Sequence, residues 1–236
     1  MIENFACRAP EESHLAAIER VAGLFATRLA EPAALLGDAA LAAGLAFDHV
    51  GVMVPWGTGA EVVDELQGLG YQVTERFEST VVAGLLRAQC GQEDLRVVVT
   101  TAERRDDSRC RLEVFCPENA RADRQDCLLR LAPVIGHVAF RPAGDADVDE
   151  LGEAVQARGF KPLMEGTNGN QRGFGSGGGV SLRYYVNPSS ALGQVKLELV
   201  SALPRSAVQP PVGVGRARAG LAQRLLTALL PGRSAE

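Results

Sequence analysis

Phe47-Asp48-His49-Val50-Gly51-Val52 and Ile135-Gly136-His137-Val138-Ala139-Phe140 answer one another, and the stretches that follow them keep the match. The first run leads into a helical stretch ending Leu69-Gly70-Tyr71 and, much later, into Arg111-Leu112-Glu113-Val114-Phe115. The second leads into a helical stretch ending Arg158-Gly159-Phe160 and closes with Lys196-Leu197-Glu198-Leu199-Val200. Histidine to glycine spans 21 residues in one copy (70 − 49) and 22 in the other (159 − 137); histidine to glutamate spans 64 (113 − 49) and 61 (198 − 137). Repetition on this scale is a fold signal, two copies of one supersecondary unit that bury a face together. It also sets two histidines and two glutamates in equivalent places, the raw material of one metal site at a pseudo-twofold axis.

In the first copy, residues 47 to 54 alternate as a strand, Gly59 to Leu69 reads as an amphipathic helix, and Gly70 supplies the helix stop before a strand at Tyr71 to Phe77. Val81 to Ala88, Leu95 to Thr101 and Arg111 to Phe115 read as further strands. That is one strand more than in the second copy, where Phe160 to Met164, Val180 to Val186 and Val195 to Val200 follow the helix. The surplus strand leaves two registers open. If Leu95 to Thr101 closes the first unit, the glutamate position falls near Val98 at a spacing of 49 (98 − 49), and the matched spacings favour Glu113 instead.

The expected organisation is a helical N-terminal extension (1–45), a first module (46–119), a linker (120–134), a second module (135–202) and a C-terminal tail (203–236). In the extension, Pro32 separates two helices. Thr167 to Gly179 holds Asn-Gly, Gly-Asn and three successive glycines, so it reads as a mobile loop. The tail carries Pro204, Pro210 and Pro211, then a short basic helix from Arg216 to Leu230 with one leucine stripe.

Composition narrows the function classes. A net charge of −5 with scattered basic residues gives no electrostatic reason to expect nucleic acid. No run reaches the roughly 18 apolar residues of a membrane span, and Met1-Ile2-Glu3-Asn4 lacks the basic start of a secretory signal, so the expectation is a cytoplasmic protein. The five cysteines (Cys7, Cys90, Cys110, Cys116, Cys127) are odd in number and form no C-x-x-C pair, which reads as reduced thiols. The Gly-Lys-Ser/Thr of a phosphate loop is absent.

Each glutamate of the repeat stands among apolar neighbours in a strand, where an unpaired carboxylate is costly. Two such carboxylates beside two imidazoles make a divalent ion the economical partner. An N₂O₂ donor set suits Zn, Ni, Co, Mn or Fe, and the lack of thiolates argues against a closed structural zinc site.

On these residues the chain resembles the vicinal oxygen chelate superfamily, which includes glyoxalase I, methylmalonyl-CoA epimerase, extradiol dioxygenases and the fosfomycin and bleomycin resistance proteins. The resemblance covers about residues 46 to 202 and rests on Asp48-His49-Val50-Gly51, Gly136-His137-Val138-Ala139, the Gly-aromatic helix exits and the two Leu-Glu strands. It implies an α+β fold in which two βαβββ modules form a cupped mixed sheet, with helices added at both ends. It implies His49, Glu113, His137 and Glu198 as metal ligands, and a lyase or isomerase/epimerase of the glyoxalase type acting on a small substrate with vicinal oxygens. Glu113 or Glu198 would then shuttle the proton that chelation acidifies. Arg172, Arg183 and Tyr185 are the candidates for substrate binding; Tyr184 and Tyr185 lie on opposite faces of one strand, so one of them faces the cup. Should the first-module glutamate fall out of the set, His49, His137 and Glu198 form the triad of an Fe(II)-dependent dioxygenase. A third possibility is a metal-free protein that sequesters a ligand, as resistance proteins of the superfamily do. Relatives often dimerise, and a homodimer is expected here.

Overall fold

The computed structural model describes residues 36–55, 58–106, 111–144, 146–168, 179–186 and 196–202, with Ala16 besides. In chain order these form α1 (Ala39–Ala43), β1 (Leu45–Met53), α2 (Gly59–Gly68), β2 (Tyr71–Glu78), α3 (Thr80–Cys90), β3 (Arg96–Arg104), β4 (Arg111–Glu118), α4 (Gln125–Ile135), β5 (His137–Pro142), α5 (Val148–Ala157), β6 (Lys161–Asn168), β7 (Val180–Val186) and β8 (Lys196–Ala202). All the strands join one curled mixed sheet in the order β2-β3-β4-β1-β5-β8-β7-β6. The two halves repeat one pattern, the first strand parallel to the last (β1 with β4, β5 with β8) and the others antiparallel. The halves meet where β1 and β5 pair antiparallel.

Equivalent helices end in equivalent ways. Gly70 after α2 has φ +83° and Gly159 after α5 has φ +87°, backbone that favours glycine, so each chain turns sharply into the next strand. Thr58 starts α2 with a capping box to Glu61, and Asp147 starts α5 by accepting from the amides of Asp149 and Glu150.

The sheet has two buried faces. On the outer one, α2 and α5 pack Val62, Leu66, Leu151 and Val155 against Val50, Val52, Leu112, Val114, Val138, Phe140, Leu197 and Leu199. On the inner one, α3 and α4 pack Val82, Leu86, Leu128 and Leu131 against Met53, Val97, Val99, Phe115, Ala139 and Val200. Alternation along each strand therefore sends His49, Gly51 and Met53 inward while Val50 and Val52 go outward.

Three expectations change. Val81 to Ala88 is not a strand: Ser79 caps a helix by accepting from Val82 N, Val82, Leu85, Leu86 and Cys90 are buried along it at helical spacing, and Gly91 (φ +63°) ends it. With that segment helical, each module has four strands and β4, carrying Glu113, is the last strand of the first. The segment 120–134 is not a bare linker but a 3-10 turn (Ala122–Arg124) followed by α4, whose buried residues cover the inner face. Nor are the cysteines all reduced, because Cys90 at the end of α3 and Cys127 in α4 form a disulfide, their Cα atoms 5.8 Å apart. Cys116 is buried and takes no part in the disulfide.

Strand β6 runs on through Thr167 and Asn168, the first two positions of the expected loop. The rest of that loop up to residue 178, with Arg172, the earlier part of the N-terminal extension and the segment Arg216 to Leu230 lie outside the described residues. Among the described residues no helix is long and apolar enough to cross a membrane.

Candidate metal centre

The central strands bring four of the expected side chains to one point on the inner face. Gly51 and His137 are direct partners across the β1–β5 ladder, as are His49 and Ala139, so each imidazole rises over the small residue of the other strand. Glu113 lies beside Gly51 on β4, and Glu198 beside Ala139 on β8. His49 Nε2 is 3.0 Å from His137 Nε2, 3.3 Å from a Glu113 oxygen and 3.5 Å from Glu198 Oε2, and His137 Nε2 is 2.7 Å from Glu198 Oε2. All four residues are buried, with at most 4% of their surface exposed, where unpaired charge is expensive.

The other ring nitrogens are already committed. His137 Nδ1 donates to the Ile135 carbonyl at 2.7 Å, and His49 Nδ1 lies 2.8 Å from Asp48 Oδ2. Both imidazoles therefore turn Nε2 toward the centre, each braced by an oxygen acceptor behind it, the outer-shell arrangement of metal-ligating histidines. Asp48 is itself held by Arg111, 3.2 Å away, and Arg111 also reaches Glu103 at 3.4 Å.

Such a centre demands a positive charge among its donors. Glu198 Oε2 accepts no well-directed hydrogen bond although it lies 2.7 Å from His137 Nε2. Burial opposes charge on His49, yet Glu113, Asp48 and Glu198 outweigh it and raise the imidazole to about 10. Burial likewise opposes charge on Glu198, and the attraction of His137 and His49 outweighs it, bringing the carboxyl down to about 2. Glu113 goes the other way: burial raises it, His49 only partly offsets that, and Glu198 adds to the rise. The donor set fits a divalent ion, which satisfies facing nitrogen lone pairs and carboxylates together. Among the described residues His49, His137 and Glu198 each place a ligand atom within 4.8 Å of the others, and Glu113 borders this trio through His49.

Of the expected substrate-binding residues, Arg183 and Tyr185 are not on this face, and Arg172 lies outside the described residues. Arg183 pairs with Asp149 at 2.5 Å and Glu165 at 3.5 Å, and Tyr185 packs in the outer core, its hydroxyl against Gly152 of α5. Alternation on β7 puts Tyr184, not Tyr185, over the centre: its ring stands edge-on to His137 at 5.3 Å and its hydroxyl hydrogen-bonds Glu198. Burial and the two glutamates push that hydroxyl well above its ordinary range.

Lys196 also faces inward, two residues before Glu198, and its Nζ donates to the Gly136 carbonyl at 2.9 Å. Burial holds the Lys196 amine well below the ordinary lysine range, so it gains charge most readily when an anion arrives beside it. Asp48 and Lys196 were missed as functional candidates, and of the two tyrosines left open on β7 it is Tyr184 that takes the inner face. The adjacency of Asp48 to His49 and the two-residue spacing of Lys196 from Glu198 were the available signals.

The sheet order and the repeat give a glyoxalase-like fold, a mixed eight-stranded sheet built from two matching halves. No protein-family model matches the chain, and no curated protein does so at significance. Solved structures with similar folds include a methylmalonyl-CoA epimerase from Mycobacterium tuberculosis, 19% identical over 69% of this chain and 91% of that one with a TM-score of 0.43. A variant of the Streptomyces coelicolor methylmalonyl-CoA epimerase in complex with 2-nitronate-propionyl-CoA is 20% identical over 66% of this chain and 96% of that one, with a TM-score of 0.40. A glyoxalase family protein from Bacillus cereus is 17% identical over 66% and 93%, with a TM-score of 0.24.

Proposed function

We propose that this chain is a metal-dependent lyase or isomerase, epimerisation included, that binds a small substrate through vicinal oxygens and moves a proton at the adjacent carbon. His49, Glu113, His137 and Glu198 would hold the ion. One observation supports this above the others: two imidazoles whose Nδ1 atoms are engaged elsewhere bring their Nε2 atoms to 3.0 Å in a pocket shared with two carboxylates. The ion, when bound, supplies Lewis acidity toward the chelated oxygens.

The chain's own groups then divide the remaining work. Glu198 is fixed from two sides, by His137 at 2.7 Å and by the Tyr184 hydroxyl, and serves as the permanent anionic ligand. Glu113 lies 3.3 Å from His49 Nε2, and its carboxyl is raised where that of Glu198 is lowered. Two carboxyls pushed in opposite directions mark a division of labour, which assigns Glu113 as the proton carrier. Asp48 holds the His49 tautomer, and α3 and α4 exclude bulk water from the inner face.

The test is the metal content of the purified chain and of His137→Ala and Glu198→Ala. About one divalent ion per chain, lost in both variants, is expected; full occupancy in both sinks the assignment. The compact trio His49, His137 and Glu198 favours one second reading, an Fe(II)-dependent dioxygenase in which Glu113 is not a ligand. Iron-dependent oxygen consumption that survives Glu113→Gln would select it over the proton-transfer reading.

A further inference from the structure

The two strands that carry the glutamates both open on a basic residue. Arg111 is the first residue of β4 and Lys196 the first of β8, each two positions before its glutamate. Their places in the sheet match too. Leu112 pairs with Val50 and Leu197 with Val138 on the two parallel ladders, which brings Arg111 level with His49 and Lys196 level with His137. The Arg111 side chain is 14% exposed and Lys196 is buried.

Each basic group reaches the residue just before its histidine. Arg111 Nη1 donates to Asp48 Oδ1 at 3.2 Å, and the other oxygen of that carboxylate, Oδ2, lies 2.8 Å from His49 Nδ1. Asp48 is the bulged residue of β1: pairing with β5 passes from Phe47 and Phe140 to His49 and Ala139 and skips it. A bulge of this kind takes a side chain out of the regular alternation, here back beside the imidazole. In the second half Lys196 Nζ donates to the Gly136 carbonyl at 2.9 Å, and the neighbouring Ile135 carbonyl lies 2.7 Å from His137 Nδ1. Two successive carbonyls thus stand where the first half uses two oxygens of one carboxylate. A hydrophobic residue would fill the Lys196 position without the cost of burying an amine. The same contact, made with different groups at equivalent positions of both halves, carries the inference, because a packing accident in one half has no reason to recur in the other.

We propose that Arg111 and Lys196 are positioning residues of the metal centre, each anchoring the group that holds one histidine by Nδ1 so that Nε2 keeps its aim at the ion. The proposal rests on the metal-dependent reading above. It extends the centre from its donors to two braces, one running from Arg111 through Asp48 to His49 and the other from Lys196 through the 135–136 backbone to His137. Without the guanidinium, the Asp48 carboxylate loses the anchor on its far oxygen. Without the amine, the Gly136 peptide is released, and the Ile135 carbonyl that orients the ring moves with it. Neither basic group is a ligand, so their removal weakens and loosens coordination while leaving the site in place.

The experiment titrates Co(II) into the full chain against a chelating indicator, records the visible spectrum of the cobalt-loaded protein and follows thermal unfolding of the metal-free form. Outer-shell partners are worth about 10–100-fold in metal affinity, so Arg111→Gln and Lys196→Met should each weaken cobalt binding about tenfold and shift the visible bands, with one site per chain kept. Arg111→Lys, which still donates to Asp48, should recover the wild-type spectrum and most of the affinity. Arg111→Gln placed on Asp48→Asn should cost no more than about twofold beyond Asp48→Asn alone, because the arginine acts through that carboxylate. Arg96→Gln is the control: Arg96 also opens a strand, β3, but pairs with Glu78 at the end away from Thr101 and Glu113, and its loss should change neither affinity nor spectrum. An Arg111→Gln protein that melts earlier yet keeps wild-type affinity and spectrum has lost packing alone, and that result overturns the proposal. So does a further full loss in the Asp48→Asn background, or an Arg111→Lys protein no better than Arg111→Gln. Should Lys196→Met fail to fold, the arginine series, at a part-exposed position, still decides. A chain that takes up no cobalt refutes the metal reading and this proposal with it, whereas cobalt uptake indifferent to both basic residues refutes the proposal alone.

Discussion

Gly51→Ala is the sharpest probe of the centre, because it alters the His137 position without touching a ligand. A Cβ on residue 51 would stand 2.5 Å from His137 Nε2 and 2.6 Å from Nδ1, and closer still to Cε1. Carbon and ring atoms settle at about 3.5–4.0 Å, so the imidazole has to retreat by roughly 1 Å or more. It cannot retreat freely: Ile135 O holds its Nδ1, Phe115 and Tyr184 flank the ring at 5.8 and 5.3 Å, and the ring is buried. Overpacking of this kind costs about 1–3 kcal/mol, and at about 2–4 °C per kcal/mol the metal-free melting temperature should fall by roughly 2–12 °C. Losing even an outer-shell partner costs about 10–100-fold in metal affinity, so displacing a ligand should cost about 100-fold or more, near 3 kcal/mol. The assay is competition of Co(II) or Zn(II) against a chelating indicator, with thermal unfolding of the metal-free form alongside. Ala139→Gly is the paired control, since the residue under His49 already carries a Cβ; its metal affinity should match wild type within about threefold. A Gly51→Ala protein that binds metal as tightly as wild type would show that His137 is not a ligand.

Metal binding has to displace the proton that His49, raised to about 10, otherwise holds. Apparent affinity should therefore climb about tenfold per pH unit between pH 6 and 8, with proton release visible as a buffer-dependent calorimetric enthalpy; a flat profile would contradict a protonated His49. For the metal-free chain the sign is opposite: a raised histidine stabilises fully below pH 6.5 and loses that contribution as pH rises toward about 10, so its unfolding midpoint should fall across that range. Asp48→Asn should weaken metal binding by about 10–100-fold while leaving one site per chain, and unchanged affinity would remove Asp48 from the machinery. Opening the Cys90–Cys127 bridge closes no new contact but frees a loop of sequence separation 37, worth about 4 kcal/mol in the loop-entropy model, so Cys90→Ser should lower the denaturation midpoint clearly. A Cys90→Ser variant as stable as wild type would mean the bridge does not form in solution.

The repeat made the centre legible in the amino-acid sequence because strand alternation is local. Once His49 is inward, Gly51 is inward, and the partner copy follows the same rule, so the four donors converge without knowledge of any loop. The same rule failed at β7 only for want of a phase: Tyr184 and Tyr185 alternate with certainty, but nothing in Leu182-Arg183-Tyr184-Tyr185 says which face is inner. Val81-Val82 misled for a different reason. β-branched residues favour strands on propensity, and what made this segment a helix was the Ser79 cap together with inner-face burial of Val82, Leu86 and Cys90. Cysteine pairing was out of reach for the same cause, since Cys90 and Cys127 meet only because two helices cover one face.

The twofold relation between the modules is broken in ways that bear on chemistry. Where the first copy has Asp48 before its histidine the second has Gly136, so His49 is braced by a carboxylate and His137 by a backbone carbonyl. The glutamates diverge in step, because Tyr184 tethers Glu198 and pairs it across the β7–β8 ladder, while the matching ladder position opposite Glu113 is Thr101. Thr101 is too short to reproduce the tyrosine and spends its hydroxyl on Thr74 and the Glu75 carbonyl. The two carboxyls therefore sit in different environments, Glu198 against a tyrosine and Glu113 opposite a threonine. In the proposed reaction that asymmetry separates the two carboxyls, Glu198 held as a ligand and Glu113 carrying the proton. Exchanging the two environments, with Thr101→Tyr and Tyr184→Thr, should then suppress proton exchange into solvent deuterium more than it weakens metal binding.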